Sequence, residues 1–170
     1  MYTKNNTLNL AYFNYFEIPI EFTFFILLFR RAFKLTRIYW LPIVCLIVYI
    51  TSWLMDVFFF GKWEFIFNSF SCTIGNLLLL ILILSYFIQL VTSNAILTFR
   101  NNMLFWVSLG LLLYYLGAFP YYGLRNTIAY NYREINITYT YIMYVLNCLM
   151  YLMFTISFIW GKPNIESSSS

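Results

Sequence analysis

The chain has 170 residues, of which 62% are hydrophobic, 24% are aromatic and only 9% are charged. A soluble domain usually carries charge on about a quarter of its residues, so this composition excludes a water-soluble globular protein. The chain also contains no histidine, which is the commonest general base and a common metal ligand. The composition therefore predicts a membrane protein and weighs against catalysis and metal binding.

Five stretches are long and apolar enough to cross a bilayer, for which a helix needs about 20 residues. They cover residues 10–29, 38–60, 66–91, 103–124 and 137–160. The Leu/Ile run at 77–84 lacks the alternation of a membrane β-strand, so we predict an all-α fold, a polytopic bundle of five transmembrane helices. Residues 1–162 are expected to form this transmembrane domain, and residues 163–170, with their four serines, a disordered tail.

Basic residues predict the orientation of the bundle. Four of the ten Lys and Arg residues lie between the first two spans: Arg30, Arg31, Lys34 and Arg37. Loops rich in Lys and Arg stay on the cytoplasmic side, so the N-terminus is predicted outside and the C-terminus inside. This cluster also accounts for much of the net charge of +4, and we expect the lipid bilayer, not a nucleic acid, as the partner.

Acidic residues inside the predicted spans give the candidate functional site. Asn14, Glu17 and Glu21 are spaced by three and four residues, which places them on one face of the first span. Asp56 lies in the outer half of the second span. Ionisable groups in hydrocarbon are costly and often functional, and two carboxyls one turn apart should not both ionise there. The alternative is that neutral acids bond to neighbouring helices and only hold the bundle together.

Small and polar residues elsewhere in the spans are interpreted as packing groups. Ser71 with Gly75, and Gly110 with Gly117, have spacings that let helices approach closely. Asn68, Asn76, Gln89 and Asn147 are expected to hydrogen-bond between helices. Cys45, Cys72 and Cys148 share no metal-like spacing and are read as buried hydrophobic residues. Tyr121, Tyr122, Tyr130, Tyr132 and Tyr139 are assigned to an outer loop at the membrane surface.

Known membrane enzymes need residues that this chain lacks. With no histidine, one aspartate and no CxxC pair, it has no evident set for a protease, a Mg²⁺-dependent transferase or a thiol oxidoreductase. We therefore expect no enzyme, no metal and no cofactor. The leading hypothesis is a receptor-like or accessory signalling and sensing component, acting with a separate signalling protein or by self-association. The alternatives are a small proton- or cation-coupled transporter and a structural membrane scaffold.

Several short patterns also carry a family resemblance. They are Gly75-Asn76-Leu77, Tyr86-Phe87, Gln89-Leu90, the run from Phe105 to Leu111, Tyr114, Gly117, Asn147 and Tyr151, with Asn14, Tyr15 and Glu21-Phe22 in an earlier helix. Residues from about 68 to 160 thereby resemble uncharacterised multi-span integral membrane proteins of Bacteroidetes. The resemblance implies a seven-helix bundle in a bacterial inner (cytoplasmic) membrane, with a sensing role and no catalytic residues. Two N-terminal spans of that pattern are absent, so we expect a truncated member or a start further upstream.

Overall fold

The computed structural model describes residues 12–34, 36, 38–59, 69–92 and 101–160, and these residues form an all-helical structure. A π-helical turn, Phe13–Glu17, leads directly into the first α-helix. The α-helices are α1 (Ile18–Ala32), α2 (Leu41–Phe59), α3 (Ser69–Thr92), α4 (Met103–Asn131) and α5 (Arg133–Trp160). The all-α prediction is thus confirmed for the described residues. The predicted tail lies outside them.

Four of the helices are long and apolar enough to cross a membrane. The segments that meet this condition are Leu41–Phe58, Phe70–Thr92, Met103–Arg125 and Arg133–Trp160. The first helical run is shorter, with five π-helical and fifteen α-helical residues. The protein is therefore a membrane protein with four helices suited to spanning, while the fifth span and the orientation stay predictions.

Pro19 explains why the chain enters α1 through a π-helical turn. In a regular α-helix the proline ring clashes with the carbonyl four residues earlier, here that of Tyr15, and a wider turn relieves such a clash. A residue of a π-helix advances through a smaller angle than one of an α-helix. The sequence analysis assumed α-helical geometry, in which a spacing of three residues keeps Asn14 and Glu17 on one face. In the π-helical turn the same spacing places their side chains on different faces.

The connection between α4 and α5 differs from the predicted outer loop. Span four was expected to end at residue 124 and span five to begin at 137, but α4 continues past Pro120 to Asn131 and α5 begins at Arg133. Only Tyr132 separates them, and its N–H donates to the carbonyl of Ile128 at 2.9 Å. The missing proline donor costs α4 a single hydrogen bond, which the packing of the two helices outweighs. Of the five tyrosines assigned to a loop, Tyr132 alone lies between the helices, and the assignment was wrong for Tyr121, Tyr122, Tyr130 and Tyr139.

Helices α1 to α4 share one apolar core, and α5 lies at its edge. Buried residues of α1 such as Phe22, Ile26 and Phe29 pack with Leu79 and Leu82 of α3. Within the described residues, α1 packs on α2 and α3, α3 on α2 and α4, and α5 on α4 alone apart from isolated contacts. The helix α5 therefore presents most of its surface outward.

Candidate functional site

A hydrogen bond between α1 and α4 forms the centre of the candidate site. The hydroxyl of Tyr115 donates to Oε1 of Glu21 at 2.8 Å. Glu21 is partly buried, and Tyr115 is only 1% exposed. The ring of Tyr115 packs against Phe22 at 5.7 Å and Phe25 at 6.2 Å between centroids. The apolar face of α1 thus fixes the position from which Tyr115 reaches the carboxyl.

The backbone beside Tyr115 is held by α3. In the amide orientation that satisfies both partners, Asn76 donates to the carbonyl of Tyr115 at 3.2 Å and accepts from the N–H of Phe119 at 3.3 Å. Asn76 is fully buried, so these bonds form where water does not compete with them. The interhelical role predicted for Asn76 agrees with this contact. Helix α4 is therefore anchored at the turn that carries Tyr115.

Three more tyrosines complete what we call the tyrosine cluster: Tyr49 on α2 and Tyr114, Tyr115 and Tyr122 on α4. Tyr114 and Tyr122 lie about two helical turns apart along α4, and their hydroxyls approach each other to 3.0 Å. The hydroxyl of Tyr49 is buried and has no hydrogen-bond partner among the described residues. Glu21 interacts electrostatically with each member of the cluster.

Other charged and polar groups approach this cluster from each neighbouring element. Glu17, one turn before Glu21, interacts electrostatically with it. Cys72 of α3 lies near Glu21, near Asp56 of α2 and near Arg125 of α4. Arg125 also lies 5.8 Å from the ring centroid of Tyr121. The cluster therefore has two further carboxyls and one cation in its surroundings.

Asp56 has a clear structural role. Its Oδ2 accepts from the backbone N–H of Ser71 at 2.6 Å, and its side chain is 4% exposed. Ser71 lies in the first turn of α3, where backbone N–H groups have no partner within the helix and where the helix dipole favours a negative group. The carboxyl of Asp56 thus caps α3, which the sequence analysis did not anticipate.

The structure separates the remaining members of the predicted site. Asn14 is 1% exposed, and its carbonyl accepts from the indole N–H of Trp53 at 3.3 Å. Glu17 is exposed on the surface of the bundle. Glu21 bonds to the tyrosine cluster through Tyr115. The π-helical turn rotates Glu17 away from Asn14 and separates these two side chains.

The residues predicted to pack helices lie at close contacts. A Cβ placed on Gly75 would lie 2.9 Å from Cε2 of Tyr49 and 3.0 Å from the ring of Phe22, and Ser71 is fully buried nearby. On α4, a Cβ on Gly110 would lie 2.9 Å from Cβ of Met153, and one on Gly117 would overlap Leu146. These glycines let α1, α2 and α5 approach their neighbours.

Sequence reasoning did not identify the tyrosine cluster, although one signal was available. Tyr114 and Tyr115 are adjacent in the middle of an apolar span, and Tyr122 follows Tyr114 by eight residues, a spacing that keeps both within one broad stripe of the helix. Phenols at such depth need partners. Tyr115 bonds to Glu21, which lies 94 residues earlier in the sequence. The contact becomes visible only once the helices are packed.

Comparison of the chain with family models, with curated proteins and with solved structures finds no match. The resemblance to Bacteroidetes membrane proteins therefore stays a prediction. The function has to be argued from the site itself.

The chemistry available at the site is the gain and loss of one proton. Within the described residues, no group of three or more cysteine, aspartate or glutamate side chains could hold a metal ion. A neutral carboxyl both donates and accepts hydrogen bonds, whereas a carboxylate only accepts. Tyr115 can donate to either form. The hydrogen bond from Tyr115 is thus open to both charge states of Glu21, and the cost of desolvating the carboxylate decides which state favours the closed contact.

Proposed function

We propose that this protein is a non-enzymatic, receptor-like or accessory signalling component of a bacterial inner membrane, and that protonation of Glu21 controls the side-chain contact between α1 and α4. The hydrogen bond between Glu21 and Tyr115 carries the proposal. It joins two helices that are far apart in sequence, and one of its two side chains can change its charge.

The surroundings of Glu21 make its charge matter to the fold. Phe22 and Phe25 flank it on α1, and the tyrosine cluster faces it from α2 and α4. An ionised carboxyl loses most of its hydration in such surroundings, and one phenol hydrogen bond offsets only part of that loss. Deprotonation therefore favours a state in which α1 moves away from α4. Raising the pH should weaken this contact, and lowering it should restore the contact.

Two observations support a non-enzymatic role. The chain has no histidine, and the buried carboxyl of Asp56 is engaged in capping α3. The signal would pass to a separate protein or to a second copy of the chain. The Arg30, Arg31, Lys34 and Arg37 cluster supports the orientation with the N-terminus outside, in which Glu21 and the start of α3 face the outer half of the membrane.

Hydrogen exchange of the full chain in lipid nanodiscs at a series of pH values tests the proposal. Exchange in α1 should rise with pH in the native protein and become independent of pH in Glu21→Gln, which keeps a neutral side chain of the same shape. Glu17→Gln is the matched control, because it makes the same chemical change on the exposed carboxyl one turn away. Its exchange should follow the native protein. A pH response that survives in Glu21→Gln contradicts the proposal.

Proton-coupled transport is the second candidate function. The bonded hydroxyls of Tyr114 and Tyr122 add two exchangeable protons to the polar groups near Glu21, which gives a partial path for protons. Liposomes that contain the protein and a trapped pH-sensitive dye test it. Transport predicts a proton flux that Glu21→Gln abolishes and Glu17→Gln retains. Flux no greater than that of empty vesicles excludes transport and leaves the sensing proposal in place.

A further inference from the structure

The outward face of α5 carries a row of exposed side chains that we call the tyrosine seam. Its members alternate in steps of four and three residues: Ile137, Tyr141, Tyr144, Cys148, Tyr151, Thr155 and Phe158, all of them exposed. The opposite face of α5, with the buried Met150 and Ser157, packs on α4. Cys148 was expected to be buried, and its exposure corrects that prediction.

Lipid is a poor partner for this seam. The segment Arg133–Trp160 is long and apolar enough to span a membrane, and Tyr144, Cys148 and Tyr151 lie within about 7 Å of its midpoint along the helix axis. The hydrocarbon layer extends about 15 Å to either side of the centre of a bilayer. A phenol hydroxyl at that depth finds neither water nor a lipid headgroup, and an unpaired polar group in hydrocarbon is costly. The seam therefore needs a protein partner.

The seam is complementary to itself. A repeat of four and three residues is the pattern of two helices that wind around each other in a left-handed pair. All copies of one membrane protein insert in the same orientation, so two α5 helices meet in parallel about a two-fold axis, and each seam residue faces its own counterpart. A hydroxyl is both a donor and an acceptor. Tyrosines of one copy can thus satisfy those of the other.

The exposed area is large enough for a dimer. Tyr141, Tyr144, Tyr151 and Phe158 are 66%, 64%, 60% and 74% exposed. An aromatic side chain buries about 150–250 Å² when it is fully covered, so these four alone offer about 500 Å² per copy. Two copies would bury about 1,000 Å² in total, the size at which an interface is large enough to be specific.

We propose that a second copy of this chain docks on the tyrosine seam, with two α5 helices parallel and Cys148 opposite Cys148 at the middle of the interface. The proposal does not depend on the role of Glu21. It predicts a dimer in which the helix at the edge of each bundle becomes the centre of the assembly.

Oxidative cross-linking of the full chain in liposomes tests this arrangement. Cys45 and Cys72 are buried and Cys148 is exposed, so a mild thiol oxidant should give one covalent dimer through Cys148. Cys148→Ser should abolish it. Reintroducing cysteine into that variant at Tyr144 or Tyr151 should restore the dimer. The yield should stay constant when the protein is diluted several-fold with lipid, because a stable dimer does not depend on chance encounters.

Leu149→Cys in the Cys148→Ser variant is the matched control. Leu149 is 38% exposed and lies one residue along the helix at nearly the same depth, but it points to the flank of the seam. It should give little or no covalent dimer. Equal cross-linking at 148 and 149, or a yield that falls with dilution, would mean random collision and would overturn the proposal. A native mass of a single chain in lipid nanodiscs would overturn it as well.

A double variant tests the role of the hydroxyls. Tyr144→Phe combined with Tyr151→Phe keeps the rings but removes the paired hydroxyls, and it should weaken dimerisation about threefold or more. The readout is the fraction of dimer by single-molecule photobleaching in liposomes. An unchanged or larger dimer fraction contradicts hydroxyl pairing across the two-fold axis. A covalent adduct of Cys148 with a different protein in native membranes would show that the seam binds another partner.

Discussion

Tyr115 and Tyr144 place the same side chain in opposite surroundings. Tyr115 of α4 is 1% exposed and donates to Glu21, while Tyr144 of α5 is 64% exposed. Glu21, Asn76 and Asp56 of α1 to α3 point inward and bond to groups on other helices, but the seam of α5 points outward. Within one bundle, tyrosines therefore serve both to tie the helices together and to prepare a surface for another chain. The following predictions compare these two regions.

Removal of Asp56 should have the largest effect on the inward region. Asp56→Ala removes a buried acceptor from the first turn of α3 and should lower the free energy of unfolding by about 2–3 kcal/mol. The measurement is unfolding of the protein in mixed detergent micelles. Asp56→Asn keeps an acceptor oxygen and should lose less than the alanine variant. Equal losses in the two variants would contradict the capping role.

A methyl group at Gly75 should have the next largest effect. The Cβ of Gly75→Ala would lie 2.9–3.0 Å from the rings of Tyr49 and Phe22, and overpacking of a core costs about 1–3 kcal/mol. Gly123→Ala is the matched control, since its Cβ would lie 3.6 Å from Oγ1 of Thr73 in ordinary contact. Alanine favours a helix over glycine, so the control should be neutral or stabilising. Micelle unfolding measures both, and a stable Gly75→Ala protein would show that the contact is loose.

Removal of a hydroxyl compares the two regions directly. Tyr115→Phe leaves the partly buried carboxyl of Glu21 without its donor and should cost about 1–2 kcal/mol of unfolding free energy. Tyr144→Phe should change the unfolding of the isolated chain by less than about 0.5 kcal/mol, because its hydroxyl lies at the surface. Both variants are measured at high dilution in micelles, where dimers dissociate. Equal effects would remove the distinction between inward and outward tyrosines.

Tyr49→Phe should have the smallest effect on the free energy of unfolding, and it should stabilise the protein where the other substitutions destabilise it. The Tyr49 hydroxyl is buried without a hydrogen-bond partner among the described residues. Its removal therefore relieves the free-energy cost of burying an unpaired polar group. We expect an unchanged or slightly higher free energy of unfolding. The comparison with Tyr115→Phe uses the same chemical change in one cluster. A loss as large as that of Tyr115→Phe would mean that the Tyr49 hydroxyl has a partner in the membrane.

The sequence predicts the helices better than the way they connect. Apolar length alone locates the four helices suited to spanning, and the starts and ends of α2 and α3 agree with it within three residues. Span four was predicted to end at residue 124 and span five to begin at 137, yet α4 continues to Asn131 and α5 begins at Arg133, and the two helices pack on each other. Apolar length along one segment cannot include that contribution from tertiary packing.

The candidate site was predicted only in part for a similar reason. Charge in an apolar span singled out Glu21, which bonds to Tyr115 of another helix in the structure. Asn14 and Glu17 do not share the predicted face, because a π-helical turn precedes Pro19 and changes the rotation per residue. The roles of Tyr115 and of Asp56 as a cap depend on contacts between helices that spacing along one helix does not encode.

Infrared spectroscopy of the carboxyl groups, recorded over a pH series beside hydrogen exchange on the same nanodisc samples, tests the central claim most directly. We predict a carboxylic acid band that is lost in Glu21→Gln, is retained in Glu17→Gln and shifts in Tyr115→Phe, where the carboxyl loses its hydrogen-bond donor. The band should lose intensity over the same pH range in which exchange in α1 rises. A band that is insensitive to Glu21→Gln, or one that titrates without any change in α1, would contradict control of helix packing by this proton.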